Sequence, residues 1–385
     1  MMKANDIPTP FYIVYENRIC RNLQLIDDVS RRAGVKIIMA FKANALWKTF
    51  PIVARYCKAF TASSLNELRL GLEYLGPDAH SYCPAYTDQT IGEYIEGSTH
   101  LTFNSVSQWE RFAETLKAYN QANPGKRVSP GLRVNPKCSV IETDLYNPAL
   151  PGSRFGASAD QLTTLPDGIE GLHFHALCES TSYDLEKVLE AFEAQFGHLL
   201  DKIKWVNMGG GHLMTREGYD TDHLVNLLKS FKDRHPGVEI ILEPGSAFMW
   251  RTGDLITSVV DTIENDGIRT AIVDVSFACH MPDTLEMPYK PAITESVEPA
   301  DGKPVYRLGG NSCLSGDYMG DWSFNQPLKI GDRLTLEDMN HYTTVKTTMF
   351  NGISHPAIVL ASSEGADDCR LLREFTYDDY KNRMC

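Results

Sequence analysis

The regular alternation of short apolar runs with amphipathic stretches over roughly the first 250 residues most constrains the fold of this chain. Helical periodicity separates the apolar runs, as in residues 64–74 and 185–200. Alternation of this kind indicates repeated strand–helix units and a parallel sheet. We predict eight strands, at residues 35–40, 59–62, 80–83, 100–103, 128–134, 171–174, 205–208 and 239–242.

Eight strand–helix units in about 250 residues match the size of a closed (β/α)8 barrel, so the predicted fold class is α/β with such a barrel. The alternative is an open, doubly wound sheet. That fold favours a glycine-rich turn after its first strand, whereas the first strand here ends in AFKAN. We therefore favour the barrel, in which active sites lie at the C-terminal ends of the strands.

The pattern changes after about residue 250. Short strand-like pieces follow at residues 255–262, 270–275, 333–336, 342–348 and 357–360, separated by Gly, Pro and Asn. This pattern predicts a second domain that is mostly β-sheet, and the strand-like segment 11–15 is predicted to join its sheet. The expected boundaries are a barrel domain at residues 20–248 and a sheet domain formed by residues 1–19 with 249–385.

Composition and charge exclude several classes of protein. With 385 residues, 43% apolar and 23% charged, the chain resembles a folded globular protein. A net charge of −13 argues against nucleic acid as a partner, although acidity also serves solubility alone. No run of about 18 apolar residues and no signal peptide is evident, and the nine scattered cysteines show no metal-binding spacing. We expect a cytoplasmic protein with no membrane contact and no metal.

Chemically distinctive residues follow four of the predicted strands. Lys42 follows the first, where partial desolvation favours a neutral amine that can capture a carbonyl group. Glycines follow the seventh strand, and their backbone can approach a phosphate closely. Each residue also has an ordinary interpretation, as a surface lysine or a plain tight turn. The glycines are Gly209, Gly210 and Gly211.

Two further residues complete this set. Glu243, after the eighth strand, offers a carboxylate to a protonated ring nitrogen, although a salt bridge or helix cap would also explain it. His175, after the sixth strand, is either a core histidine or a flat ring that stacks on a cofactor. An amine, a phosphate loop, a carboxylate and an aromatic ring are together what pyridoxal 5'-phosphate needs. Their joint occurrence is more specific than any one of them.

The motifs AFKAN, GLHFHALCES, NMGGGH and GGNSCLSGD, in this order, resemble the alanine-racemase-like (type III) group of pyridoxal-phosphate enzymes, in particular its ornithine and diaminopimelate decarboxylase branch. The resemblance implies that Lys42 binds the cofactor aldehyde and that His175 stacks on the ring. It also implies that the glycine loop binds the phosphate and that Glu243 contacts the ring nitrogen. In the second domain, Tyr342 resembles the tyrosine that binds the phosphate.

The resemblance also implies roles toward the substrate. Cys313 in GGNSCLSGD matches the catalytic cysteine that acts as a general acid. Asp283 and Asp317 are expected to pair with substrate amines. Ser246, in EPGSA, stands where relatives carry arginine, and it is expected near the substrate. Cys178 also departs from the branch, which has serine in HVGS or HIGS. The phosphate would then be held with fewer cationic contacts.

Within this branch, the sequences of these motifs most resemble those of the carboxynorspermidine/carboxyspermidine decarboxylase family. This resemblance implies decarboxylation of a carboxylated polyamine, in a head-to-tail homodimer with shared sites. It leaves open which of these two substrates is preferred. Alternatives are a diaminopimelate or ornithine decarboxylase, a racemase with a second base, or a non-catalytic regulator of polyamine enzymes.

Overall fold

The computed structural model describes residues 2–141 and 143–385. The chain forms two compact units: a barrel unit, Arg21–Phe248, and a sheet unit that takes in the chain up to Cys20 and from Met249 onward. In the part of the chain that is described, no helix has the length and apolarity needed to cross a bilayer.

The barrel unit alternates strands and helices in the predicted way. After strand β1 (Phe11–Tyr15) and helix α1 (Glu16–Ala33), the barrel strand segments are β2 (Lys36–Ile37), β3 (Met39–Ala40), β4 (Ala59–Ala62), β5 (Asp78–Tyr82), β6 (His100–Phe103), β7 (Ser129–Arg133), β8 (Gly171–His173), β9 (Trp205–Asn207) and β10 (Glu239–Leu242). The helices are α2 (Phe50–Val53), α3 (Leu65–Tyr74), α4 (Ile91–Gly97), α5 (Val106–Ala122), α6 (Ser182–Phe196), α7 (Thr221–Arg234) and α8 (Ser246–Met249). Three-residue or slightly longer 3-10 helices lie at Ala4–Asp6, Trp47–Thr49, Pro124–Lys126, Asp144–Tyr146, Gly197–Lys202 and Phe350–Gly352.

The barrel closes through its first strand. β2 pairs with β10 and β3 pairs with β4, all in parallel. Ile38 joins the two segments, and its N–H donates to the carbonyl of Leu242 at 2.9 Å. Since β2 and β3 are parts of one strand, the nine segments form eight barrel strands. The predicted (β/α)8 barrel is confirmed, and the open sheet is excluded.

The indole of Trp205 packs between two barrel strands that carry glycine. A Cβ atom on Gly131 would lie 2.2 Å from this ring, and one on Gly171 would lie 2.1 Å from it. The ring nitrogen donates to Ser129 Oγ at 2.9 Å. Both glycines therefore make room for this large side chain, which lies at the start of β9, two residues before the C-terminal strand ends. We call those strand ends the barrel mouth.

Capping hydrogen bonds from side chains determine where two of the predicted helices begin. The predicted helix 64–74 is α3, and Ser64 Oγ accepts the N–H of Glu67 at 3.2 Å before its first residue. The predicted helix 185–200 is α6, which starts earlier because Thr181 and Asp184 form a capping box. A 3-10 helix then continues α6 over Gly197–Lys202.

The sheet unit is mostly strand, as predicted. Its strands are β1 and β11 (Gly253–Asn265), β12 (Ile268–Val273), β13 (Ser296–Val297), β14 (Val305–Gly309), β15 (Tyr318–Phe324), β16 (Arg333–Leu336), β17 (Ala357–Ala361) and β18 (Arg370–Arg373). Its helices are α9 (Phe277–His280), α10 (Asp283–Glu286), α11 (Thr343–Lys346) and α12 (Tyr377–Met384). β1 lies between β11 and β17, which confirms that segment 11–15 joins this sheet.

One predicted strand is wrong. Residues 342–348 form helix α11 and its flanks, not a strand. Tyr342 has a left-handed φ of +53°, which ends the extended chain, and its carbonyl accepts the N–H of Lys346 at 3.1 Å. Thr344 Oγ1 donates to the carbonyl of Asn340 at 2.8 Å. These local bonds override the β-propensity of the threonines in this segment.

Candidate active site

The two-residue period of the strands builds the floor of the mouth. Because alternate residues of a strand share a face, the face of β9 that carries Trp205 next carries Asn207, and Gly209 follows the strand end. His173 is the register neighbour of Asn207 on β8. Glu243 follows β10 directly. A polar layer therefore lies above the indole of Trp205.

Glu243 is a buried carboxyl group, with 8% of its surface exposed. Its Oε1 accepts a hydrogen bond from Asn207 Nδ2 at 2.6 Å. Burial raises its pKa, while hydrogen bonds from Asn207 and Thr61 and the charge of Lys42 oppose this shift. The carboxyl group is therefore placed where a cationic ring N–H would stabilise its ionised form.

Glycine is required at the turn after β9. Gly209 has a φ of +69°, and a Cβ atom there would lie 2.6 Å from the carbonyl oxygen of Phe174. A Cβ atom on Gly210 would lie 2.4 Å from the carbonyl oxygen of Glu243. The turn is thus packed tightly against two neighbouring strand ends.

The amides of this turn are partly used within the protein. The N–H of Gly209 donates to Asn207 Oδ1 at 2.9 Å, and the N–H of Gly210 donates to His175 Nδ1 at 2.9 Å. Within the described chain, the N–H of Gly211 has no protein partner. Of the three glycine amides predicted to bind a phosphate, that of Gly211 is available.

His175 is half-buried at the end of β8, and its ring is held by the Gly210 N–H. Burial and the nearby charges of Lys42 and Arg133 lower its pKa well below the ordinary value. The ring is therefore neutral, with its proton on Nε2 because Nδ1 accepts a hydrogen bond. A neutral, oriented ring is suited to stacking.

Lys42 follows β3 at the mouth. Its side chain is open to solvent on one side, while protein atoms crowd it on the others. That crowding lowers the pKa of the amine, and the charge of Arg133 lowers it further; Cys178, Glu243 and Glu67 act in the opposite direction. In the described structure the amine has no hydrogen-bond or ion-pair partner. It is therefore available for reaction with a carbonyl group.

Arg133, at the end of β7, is a site residue that sequence reasoning missed. It is buried, its guanidinium lies 4.5 Å from the ring centres of both Tyr82 and Phe155, and it donates to the carbonyl of His175 at 3.4 Å. No carboxylate of the described residues forms an ion pair with it. The only sequence signal was an arginine that ends an apolar strand, in GLRVN.

Sequence reasoning also missed two buried polar residues, His173 and Asn207. His173 Nε2 lies 3.8 Å from Glu243 Oε2, and neither ring nitrogen has a hydrogen-bond partner among the described residues. Burial and the charge of Arg133 lower its pKa, so the ring is neutral. Arg133 has no ion-pair partner among the described residues, whereas Glu243 and Glu67 both act on Lys42, so the guanidinium of Arg133 is the cation available to an anionic ligand.

The remaining predicted residues of the barrel unit lie after strands as expected. Cys178 is half-buried in the segment after β8. Burial raises the pKa of its thiol. Ser246 is half-buried and is the first residue of α8.

In the sheet unit, Cys313 and Asp317 belong to the loop between β14 and β15. Cys313 is exposed, and its N–H donates to Asn351 Oδ1 at 2.8 Å. Asp317 is buried, and its carboxylate accepts the hydroxyl of Ser312 at 2.6 Å.

Asp283 and Tyr342 lie elsewhere in the sheet unit. Asp283 is buried in α10, where Oδ2 accepts the hydroxyl of Tyr289 at 2.7 Å. Its Oδ1 has no hydrogen-bond partner within the described part of the chain. Tyr342 is half-buried and immediately precedes α11.

The fold and the barrel mouth define a class of protein. A lysine of lowered pKa, an oriented imidazole, a tight glycine turn and a buried carboxyl group at the mouth of a (β/α)8 barrel fit a pyridoxal-type cofactor. The phosphate of such a cofactor suits the free Gly211 amide and the guanidinium of Arg133. The family profile described as "Pyridoxal-dependent decarboxylase, C-terminal sheet domain" matches residues 12–340. The chain belongs to this family of pyridoxal-dependent decarboxylases.

Similar proteins support this assignment over almost the whole length. The chain is 45% identical over 383 residues to a carboxyaminopropylagmatine decarboxylase from Synechocystis sp., covering 99% of this chain and 97% of the relative. It is 41% identical to a carboxynorspermidine/carboxyspermidine decarboxylase from Campylobacter jejuni, covering 99% and 100%. The crystal structure of carboxynorspermidine decarboxylase from Campylobacter jejuni, in complex with norspermidine, is 38% identical, with a TM-score of 0.88 and coverage of 98% and 100%.

Proposed function

We propose that this protein binds pyridoxal 5'-phosphate through Lys42 and removes carbon dioxide from a carboxylated polyamine, with carboxynorspermidine and carboxyspermidine as the first candidate substrates. The observation that carries the proposal is the Lys42 amine itself. It follows a barrel strand and has no protein partner in the described chain, and burial together with the charge of Arg133 lowers its pKa. Relatives that align with 99% and 98% of the chain are named as decarboxylases of such substrates.

The barrel residues have distinct roles in this proposal. When bound, the cofactor supplies a ring that accepts the electron pair left behind as carbon dioxide departs. Glu243 accepts a hydrogen bond from the protonated ring nitrogen, and this contact restores the ionised state that burial disfavours. His175 stacks on the cofactor ring. Arg133 neutralises an anionic group of the bound cofactor or substrate.

The phosphate is assigned to the glycine turn and to Tyr342. The Gly211 amide is the free donor of that turn, whereas Gly209 and Gly210 allow the close backbone approach. The serine at position 246 supplies no cation there. Cys178, in the segment after β8, is among the groups that act against the lowering of the pKa of Lys42.

The sheet unit supplies the proton in this proposal. The Cys313 thiol is exposed and gives its proton to the carbon that has lost carbon dioxide. The free Oδ1 of Asp283 is the acceptor assigned to a substrate amine. A homodimer in which each site combines residues of two subunits stays a prediction from the resemblance, and a cytoplasmic location stays a prediction from the sequence composition.

A second candidate substrate is carboxyaminopropylagmatine, because the relative that is 45% identical carries that name. Its distal end is a guanidinium group, whereas carboxynorspermidine and carboxyspermidine end in a primary amine. A planar guanidinium needs two parallel acceptors, whereas an ammonium group is a compact charge. The chemistry of the distal end therefore distinguishes the candidates.

One experiment tests both candidates. Purified protein with pyridoxal 5'-phosphate is incubated with each carboxylated polyamine, and carbon dioxide and the product amine are measured. Ornithine, lysine and diaminopimelate are controls for the other decarboxylases of the family, and exchange of the α-proton tests for a racemase. We expect release from at least one carboxylated polyamine and loss of release in Lys42→Ala. Release from the control amino acids only, or from none, would contradict the proposal and, in the latter case, favour a regulator.

A further inference from the structure

The loop that carries Cys313 combines an exposed thiol with a buried acidic residue. Asp317 lies four residues after Cys313 and has only 4% of its surface exposed. The resemblance implies that Asp317 pairs with substrate amines. Its contacts in the sheet unit indicate a different role.

The carboxylate of Asp317 is bound by donors of its own unit. Oδ1 accepts the N–H of Ala278, in α9, at 2.9 Å. Oδ2 accepts the hydroxyl of Ser312 at 2.6 Å and the N–H of Ser312 at 3.2 Å. The side chain thus joins helix α9 to the residue immediately before Cys313.

The backbone of Asp317 closes the same loop. Its carbonyl accepts the N–H of Gly310 at 2.7 Å, and its N–H donates to the carbonyl of Leu314 at 3.0 Å. A Cβ atom on Gly310 would lie 2.3 Å from Asp317 Oδ2, so glycine is needed opposite the carboxylate. The spacing of GGNSCLSGD follows from these contacts.

Asn351 holds the other side of the loop. Its Oδ1 accepts the N–H of Cys313 at 2.8 Å. Asn351 has a φ of +57°, a left-handed conformation that asparagine adopts more readily than most residues. It lies in the 3-10 helix Phe350–Gly352, so a segment distant in sequence fixes the backbone at the thiol.

We propose that Asp317 and Asn351 are positioning residues that clamp the Cys313 loop, and that Asp317 does not bind the substrate. This inference rests on the proposed role of Cys313 as proton donor. A thiol that is held in place is already oriented for proton transfer, so we expect the clamp to affect the rate of the chemical step. Substrate binding is left to other residues, among them Asp283.

Hydrogen–deuterium exchange of the protein without substrate tests the clamp directly. We expect the amides of residues 310–317 to exchange at least tenfold faster in Asp317→Asn and in Asn351→Ala than in the wild type. Asn351→Asp keeps an acceptor and tolerates the same backbone conformation, so it should restore slow exchange. The control is Asp321→Asn, which removes a surface acidic residue that pairs with Arg307 at 3.0 Å.

Steady-state kinetics separates positioning from binding. We expect kcat to fall about tenfold or more in Asp317→Asn and Asn351→Ala, with KM changed less than about twofold. A higher KM with unchanged kcat, or unchanged exchange in both variants, would overturn the proposal. If Asp317→Asn fails to fold, Ser312→Ala keeps the carboxylate and removes the 2.6 Å bond to it, together with the 3.3 Å bond that the Ser312 hydroxyl accepts from the N–H of Leu314. This variant must give the same pattern. A wild-type protein that releases no carbon dioxide would contradict the proposed function. The exchange measurement needs no substrate, so it would still test whether Asp317 and Asn351 hold the Cys313 loop.

Discussion

At the scale of single residues, burial and the neighbouring charges together determine the charge state of Lys42. Crowding by protein atoms and the charge of Arg133 lower its pKa, whereas Glu243 raises it. Because each neighbour acts with a known sign, substitutions there should move the titration of the amine in opposite directions.

The first prediction concerns the pH dependence of covalent capture. Arg133→Met removes a positive neighbour, so the pKa of Lys42 should rise and the midpoint of capture should move to higher pH. Glu243→Gln removes a negative neighbour, so that midpoint should move to lower pH. The measurement is the fraction of pyridoxyl-lysine trapped by borohydride after short incubation of the protein with pyridoxal 5'-phosphate at each pH. Shifts in the same direction would contradict the assigned charges.

The second prediction concerns Asn207, which joins Glu243 to the glycine turn through both ends of its amide. Asn207→Ala removes one of the two side-chain donors to the buried Glu243 carboxyl group, the other being Thr61. A hydrogen bond to a charged group contributes about 1.5–3 kcal/mol. We expect the affinity for pyridoxal 5'-phosphate to fall about tenfold or more, as measured by absorbance titration. Asn120→Ala is the matched control, because Asn120 also makes two bonds, both to Val128. Equal losses in the two variants would show that the effect is not local.

At the scale of elements, the strand positions could be predicted because buried parallel strands are short, apolar and evenly spaced. Three predicted strands, 59–62, 100–103 and 239–242, coincide with β4, β6 and β10. Residues 342–348 were predicted wrongly because threonines favour strands in general, whereas here Thr344 bonds to the backbone of Asn340.

The candidate site could be predicted only in part, for a geometric reason. Lys42, His175 and Glu243 follow strands, where a (β/α)8 barrel is expected to carry its active site. Arg133 and Asn207 end strands, and polar residues there need the pleat and the neighbouring strands to show that they share one layer. The contacts of Asp317 could not be predicted, because α9 lies far from it in sequence.

The third prediction concerns the packing of Trp205. Gly171→Ala would place a Cβ atom 2.1 Å from the indole, so we expect a loss of stability of about 3 kcal/mol and a lower melting temperature. Gly92→Ala is the control, because Gly92 lies in α4 and a Cβ atom there meets nothing within 4 Å. That variant should be unchanged or more stable by about 0.5–1 kcal/mol. Equal melting temperatures for the two variants would contradict this packing.

At the scale of the whole molecule, both units contain histidines whose pKa is lowered by burial. They are His80, His100, His173, His175, His212, His280 and His355. The unfolded chain takes up protons near the ordinary histidine value of about 6.5, whereas the folded chain does so only at lower pH. Their contribution to stability is therefore present above pH 6.5 and is lost as the pH falls toward 4.

The fourth prediction follows from this linkage. Burial lowers the pKa of His100 to about 3, and its ring stacks on that of His80 with centroids 4.0 Å apart. His100→Phe keeps a ring at this position but cannot take up a proton. Between pH 6 and pH 4, its melting temperature should therefore fall by about 2–4 °C less per pH unit than that of the wild type. The surface variant His198→Gln should follow the wild type. A steeper fall in His100→Phe would contradict the sign of the shift.

The most direct test of the account is the position of the covalent cofactor label. Protein loaded with pyridoxal 5'-phosphate is reduced with borohydride, digested, and mapped by mass spectrometry, with Lys42→Ala as the control. We predict one pyridoxyl group, on the peptide that contains Lys42, and none on that peptide in the variant. A label on a different lysine, or no label, would contradict the proposed site.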